Sequence, residues 1–201
     1  MNLERKAPVL TQSQFKQVVA TARARDQGNR NVALLYFSAA LGLRAKEMSQ
    51  LLVRDVLTPD GKIKDEVLLT RATTKGGKQR LIYLTNKDVR KALAAYLDER
   101  RACEHRPLQP ATALFTSRKG GGFSPNTMQM LFKRMYRAAG LDQASSHSGR
   151  RTFATSLIER GVDIKAVSSL MGHSTVAMTA RYVDDNPIRL RRVCEEVNIG
   201  V

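Results

Sequence analysis

HSGRRTFATSLIERGVDIKAVSSLMGHSTVAMTARY, running from His147 to Tyr182, is the stretch whose reading decides the fold. It predicts three short helices in succession: about His147 to Arg160, closed at Gly161, then Asp163 to Met171, then Ser174 to about Val183. It holds two of the chain's three histidines, His147 and His173, each close to arginines, and it ends in Tyr182. His147 and Arg150 stand three residues apart and share one helix face.

Working upstream, Ser124-Pro125 reads as an N-cap followed by proline at the first helical position, opening a helix that ends at Gly140. Another helix runs from Asn86 to about Arg101, and a loop with Pro107 and Pro110 follows it. Gly120 to Gly122 read as a flexible loop and not as a phosphate cradle, because no Gly-Lys-Ser/Thr follows. Near the N-terminus, Thr11 with Gln14 makes a capping box for a helix through about Arg25. A very apolar helix runs from about Asn29 to Gly42, and Arg44 opens a third. Between them and Asn86 the pattern changes. Val53 to Leu57, Glu66 to Ala72 and Gln79 to Leu84 favour strands, with turns at Asp60-Gly61 and Gly76-Gly77. The expected class is mostly α with a small antiparallel β-sheet (α+β), with Lys75 at or beside the second turn.

Charge narrows the partner. Thirty-four Lys and Arg against eighteen Asp and Glu give a formal +16 over 201 residues. Such an excess favours polyanions, because each cation that meets a phosphate releases condensed counterions. Charge alone does not separate an enzyme from a structural nucleic-acid protein. Cys103 and Cys194 form neither a metal spacing nor a disulfide framework, which suits a reducing compartment. The N-terminal MNLERKAPVL lacks the apolar core of a signal peptide. The longest apolar stretch, Val32 to Leu43, is interrupted by Ser38 and Gly42 and is too short for a bilayer. The expectation is a soluble, cytoplasmic, nucleoid-associated protein.

The rare groups suggest one chemistry. Cleaving a phosphodiester needs a nucleophile, charge stabilisation at phosphorus and a proton for the leaving oxygen. Two guanidiniums suit the second task, since their planar forks match phosphate oxygens and keep their charge. Histidine donates to phosphate or accepts a phenol proton, and lysine on a hairpin delivers a proton to the leaving oxygen. A tyrosine phenol forms a phosphotyrosine that conserves the bond for rejoining, so neither metal nor other cofactor is expected.

GLRAKE, TKGGKQR, HSGRRTFATSL and LMGHSTVAMTARY resemble the boxes of the tyrosine recombinase (phage integrase) family, in that family's order. Arg150, His173 and Tyr182 are spaced by 23 and then 9 residues, also as in the family. Each box alone is weak; together they cover essentially the whole chain. The resemblance implies that Arg44 and Arg150 clamp the scissile phosphate, Lys75 is the general acid and His147 the general acid/base. It makes His173 a second phosphate donor, Tyr182 the nucleophile and Glu47 the residue that orients Arg44. Lys78 shares the turn with Lys75 and competes with it for the acid role. Lys78, Arg80, Arg118, Lys119, Lys133, Arg134 and Arg151 are further expected DNA contacts. Taken singly, each of these residues has a plainer reading, as a solvated charge, a cap or a half-buried aromatic.

The implied organisation is a short lead (1–8), a catalytic domain (9–185) and a tail (186–201) whose Ile188, Leu190 and Val193 dock on a neighbouring protomer. The family's N-terminal DNA-clamping domain is missing from this reading, as in a naturally short member, a fragment or an orphan domain. Expected partners are double-stranded DNA, further copies in a tetramer on paired sites, and accessory DNA-bending proteins. The rival readings are a catalytically silent or partner-dependent DNA-binding regulator of the same fold and a relaxing enzyme of the type IB topoisomerase kind.

Overall fold

The computed structural model describes residues 7–70, 79–105, 107–182 and 194–195. Local sequence signals set most of the helix boundaries. The Gln14 N–H donates to Thr11 Oγ1 at 3.2 Å and the Thr11 N–H donates to Gln14 Oε1 at 2.9 Å, a reciprocal cap that starts α1, Gln12–Arg23. Helix α2, Gly28–Leu41, is apolar on nearly every side, as a central helix must be. Its Ala33, Leu34, Leu35 and Phe37 are sealed from solvent, and each large apolar side chain so buried contributes roughly 1.5–3 kcal/mol. Helices α1, α5 and α7 pack around it, with α5 at Lys87–Glu104 and α7 at Ser146–Glu159.

Between α2 and α5 lie α3 (Ala45–Gln50), α4 (Val53–Val56), β1 (Glu66–Leu69) and β2 (Arg80–Tyr83). The strands pair antiparallel, Glu66 opposite Tyr83 and Leu69 opposite Arg80. The expected strand over Val53 to Leu57 is instead one helical turn. Asp55 Oδ2 accepts the Leu52 N–H at 2.8 Å and caps that turn, while Leu52 and Leu57 make single extended bridges to Ala113 and Ile63 on either side. The sheet therefore has two strands among the described residues, not three.

Helix α6, Pro125–Ala138, begins with the expected Ser124 cap and Pro125. Helix α8, Ile164–Met171, is capped by Asp163, and α9 is shorter than expected, Ala177–Ala180. At the α2–α7 crossing, a Cβ on Gly149 would lie 2.4 Å from Ser38 Oγ, so only glycine lets the two backbones come this close. Ala154, Ile158, Val167 and Met171 form a second, smaller core, on which Phe153 and Tyr182 pack. The C-terminal helices thus hold Tyr182 on apolar support of their own. No helix among the described residues is long and apolar enough to cross a membrane.

Candidate active site

Glu47 organises the site. Arg44 is the N-cap of α3 and Glu47 its third residue, so the carboxylate reaches back to the Arg44 N–H at 2.7 Å and to Arg44 Nη1 at 2.8 Å. Arg80 Nη2 donates to Glu47 Oε2 at 2.7 Å, and Arg150 Nη1 stands 4.0 Å from the same oxygen. The Glu47 side chain is 0% exposed. Burial works to raise its pKa, but the Arg80 charge, the Arg44 N–H and the Arg150 charge outweigh it and hold the carboxyl below its ordinary range. Three guanidiniums against one carboxylate leave an excess of positive charge.

The guanidiniums are braced on main-chain oxygens. Arg150 donates to Gly42 O and Met171 O, Arg80 to Leu170 O and Gly42 O, and Arg44 Nη2 to Gly172 O at 3.3 Å. These carbonyls close α2 and α8, where a helix leaves its last acceptors unsatisfied and its dipole favours cations. Gly42 makes this possible, with φ +65 and no room for a Cβ, which would lie 2.4 Å from Phe153 Cδ1. Burial first, then the Arg44 and Arg80 charges, push Arg150 down to about 9, which leaves it cationic at neutral pH.

His173 follows α8. Its Nδ1 is 2.8 Å from Thr179 Oγ1, and its ring lies parallel to that of Tyr182, with centroids 6.0 Å apart and 11° between planes. Burial, followed by the Arg150, Arg44 and Arg80 charges, pushes His173 down to about 4, so the imidazole is neutral at pH 7. His147 sits exposed in the first turn of α7. A cleft of about 410 Å³ joins these groups, lined by His147, Arg150, Arg151, His173, Arg181 and Tyr182 among others, with no carboxylate among the described residues on its wall. Such a cleft suits a phosphodiester anion set beside a phenol.

A second basic groove, of about 670 Å³, lies between the α1–α2 corner and α6. Arg25, Arg30, Arg118, Lys119 and Arg134 line it, with Asp26 as the single acid among the described residues. Arg30 is buried, bonded through Nη1 to Thr116 O at 2.9 Å and through Nη2 to Asn31 Oδ1 at 2.9 Å, and lies over the Phe123 ring.

Arg44, Glu47, Arg150, His173 and Tyr182 come together as one cluster, with His147 on the shared cleft. Lys75 and Lys78 lie outside the described residues, as do Ile188, Leu190 and Val193. Arg80, expected as a DNA contact, has a side chain 4% exposed and bonded to Glu47. Strand β2 alternates, Arg80 and Ile82 inward and Leu81 and Tyr83 outward, so the strand pairing aims this arginine at the clamp. Arg118 is exposed and paired with Asp26 at 3.2 Å; Lys119, Lys133 and Arg134 are exposed; Arg151 is half-buried, 6.0 Å from the Tyr182 ring centroid. The sequence reading missed Arg80's true place, the Thr179 hydroxyl and the buried Arg30. A charged residue at the head of an almost wholly apolar helix was the available signal for Arg30.

An arginine clamp on a buried glutamate, with two histidines and a tyrosine at the adjoining cleft, is an arrangement whose chemistry suits a phosphodiester. The model of the phage integrase family matches residues 8–189, and the chain belongs to that family. Tyrosine recombinase XerC of Mesorhizobium japonicum is 32% identical over 194 residues, covering 94% of this chain and 59% of that protein. Tyrosine recombinase XerD of Caulobacter vibrioides is 35% identical over 179 residues, 87% of this chain and 56% of that one. The chain thus spans little more than half the length of these curated relatives. Among solved structures, XerA recombinase superposes with a TM-score of 0.76 at 25% identity, over 98% of this chain and 67% of that one. XerH site-specific recombinase bound to its palindromic difH substrate shares the fold, with a TM-score of 0.71 at 23% identity, over 97% and 55%.

Proposed function

We propose that this chain is the catalytic domain of a site-specific tyrosine recombinase acting on double-stranded DNA. The observation that carries the reading is the cleft in which Arg150, His147, His173 and Tyr182 meet, backed by the Glu47-centred clamp. Tyr182 Oη attacks phosphorus while Arg44 and Arg150 neutralise the charge that builds on the non-bridging oxygens. The bond to the 5′-oxygen breaks and a 3′-phosphotyrosine forms. His147 takes the phenol proton and Lys75 supplies one to the leaving oxygen; rejoining runs the same steps backwards, with no net consumption of protons. His173 donates to a phosphate oxygen as a neutral imidazole. Arg118, Lys119, Lys133 and Arg134 contact the DNA backbone, joined by Arg25 on the second groove. Catalysis belongs to residues 9–185, and the tail from residue 186 docks on a neighbouring copy in a tetramer on paired sites, with accessory DNA-bending proteins assisting.

Covalent trapping in bacteria expressing the chain tests this. Protein is denatured and recovered, and attached DNA is sequenced, with Tyr182→Phe as control. DNA linked to the unaltered chain and absent from the variant supports the reading and reveals the site. Equal linkage in both rules out Tyr182 as nucleophile, and DNA on neither overturns cleavage by this chain.

A further inference from the structure

We propose that Thr179 is a positioning residue that locks His173 in the Nε2–H tautomer and ties that imidazole to the backbone of Tyr182. Thr179 is 0% exposed, and its Oγ1 lies 2.8 Å from His173 Nδ1. Its carbonyl oxygen accepts the Tyr182 N–H at 2.9 Å. One residue therefore holds the histidine with its side chain and the tyrosine with its main chain, and the two rings lie parallel.

The direction of the bond follows from where the hydroxyl proton can go. A buried hydroxyl left without an acceptor loses the full value of its hydration. Among the described residues, His173 Nδ1 is the one partner of the Thr179 side chain. The O–H must then donate to Nδ1, which has to be the bare nitrogen. Burial, and then the guanidiniums of Arg150, Arg44 and Arg80, disfavour a second proton on the ring. A neutral imidazole with bare Nδ1 carries its proton on Nε2. Nε2 is then a donor, the polarity that suits a phosphate oxygen; a bare Nε2 would set lone pair against lone pair. Nothing in the sequence alone distinguishes Thr179 from Thr175 or Thr152.

The catalytic consequence rests on the recombinase reading, but the tautomer does not, and it is measured without DNA. Long-range proton–nitrogen NMR of the intact chain at pH 7, with His173→Asn used for assignment, reads which ring nitrogen is protonated. The expected pattern is protonated Nε2 in the unaltered chain and in Thr179→Ser, and a mixture of tautomers in Thr179→Val. Protonated Nδ1 in the unaltered chain, or an unchanged tautomer in Thr179→Val, overturns the proposal, and the first of these needs no variant to fold. In the trapping assay, Thr179→Val lowers covalent linkage on the order of tenfold and Thr179→Ser stays within about twofold of the unaltered chain, the scale of one hydrogen bond to an ionisable group. Loss of linkage with the tautomer intact also overturns it. Absence of linkage in every variant would count against the recombinase reading and leave the tautomer result standing.

Discussion

Glu47 Oε2 and Arg80 Nη2 sit 2.7 Å apart with side chains 0% and 4% exposed, a buried ion pair joining α3 to β2. Replacing Arg80 with Met takes the closest guanidinium from Glu47 Oε2 in a site sealed from water and leaves Arg44, at 2.8 Å, as the carboxylate's remaining close ion-pair partner. The expected loss is about 1.5–3 kcal/mol of folding stability, measured by urea denaturation. The double variant Glu47→Met, Arg80→Met recovers only part of that stability, because Arg44 and the buried Arg150 are left without a carboxylate. It does not recover phosphate binding, since Arg44 then lacks the carboxylate that holds it. A single Arg80→Met as stable as the unaltered chain would remove the pair from the account.

Acid sensitivity follows from the same carboxylate. Glu47 is held below its ordinary value of 4.5, so the unfolded chain takes up this proton before the folded chain does. The stability it contributes is fully present above that ordinary value and is lost as pH falls through the lower folded value. Glu47→Gln should flatten this acid limb in a series of chemical denaturations, and an unchanged limb would assign acid unfolding elsewhere.

His173 works in a higher window. Its folded value of about 4 lies below the ordinary 6.5, so between the two the unfolded chain binds the extra proton. Stability from this group is intact above 6.5 and declines as pH falls toward 4. An NMR titration should find the His173 ring still neutral at pH 5; a midpoint near 6.5 would contradict the burial and the three facing guanidiniums.

Gly42→Ala tests the carbonyl brace. The methyl group meets Phe153 Cδ1 at 2.4 Å in a backbone conformation that L-residues avoid. A loss of about 2 kcal/mol or more is expected, read as a lower denaturation midpoint. Phe153→Ala added to it relieves the clash but not the backbone strain, so recovery should be partial.

On DNA, Lys133→Ala with Arg134→Ala should weaken binding almost uniformly across sequences. The slope of log affinity against log salt should become shallower by about one for each phosphate that is no longer neutralised. An unaltered slope would place the DNA backbone on another face of the molecule.

Much of the fold was legible because its signals are local. Thr11 with Gln14, Ser124-Pro125, Asn86 and Gly42 each satisfy or end a helix through bonds within a few residues, and each lies at the expected boundary. Val53 to Leu57 misled because β-branched residues favour strands, whereas Asp55 caps a single turn there and the extended partners, Ala113 and Ile63, flank it instead. In the site, Arg44, Glu47, Arg150, His173 and Tyr182 were readable as an ordered set. Arg80 was not, because a residue's type argues for the surface while its strand phase decides its face. Its place two residues before Ile82 was the signal available. Thr179 and the helix-end carbonyls were out of reach, since their roles exist only once α2, α7, α8 and α9 are packed.

The carbonyl brace also bears on the order in which a ribosome delivers the parts. Arg44 rests on Gly172 O, 128 residues later in the chain, and Arg150 reaches back 108 residues to Gly42 O. A nascent chain that has emerged only as far as α7 carries every clamp arginine yet has no α8 carbonyls to aim them and no Tyr182. In the proposed role, competence to cut is withheld until translation has passed Tyr182 and the last helices have docked. A half-made molecule thereby lacks the assembled means to cut DNA.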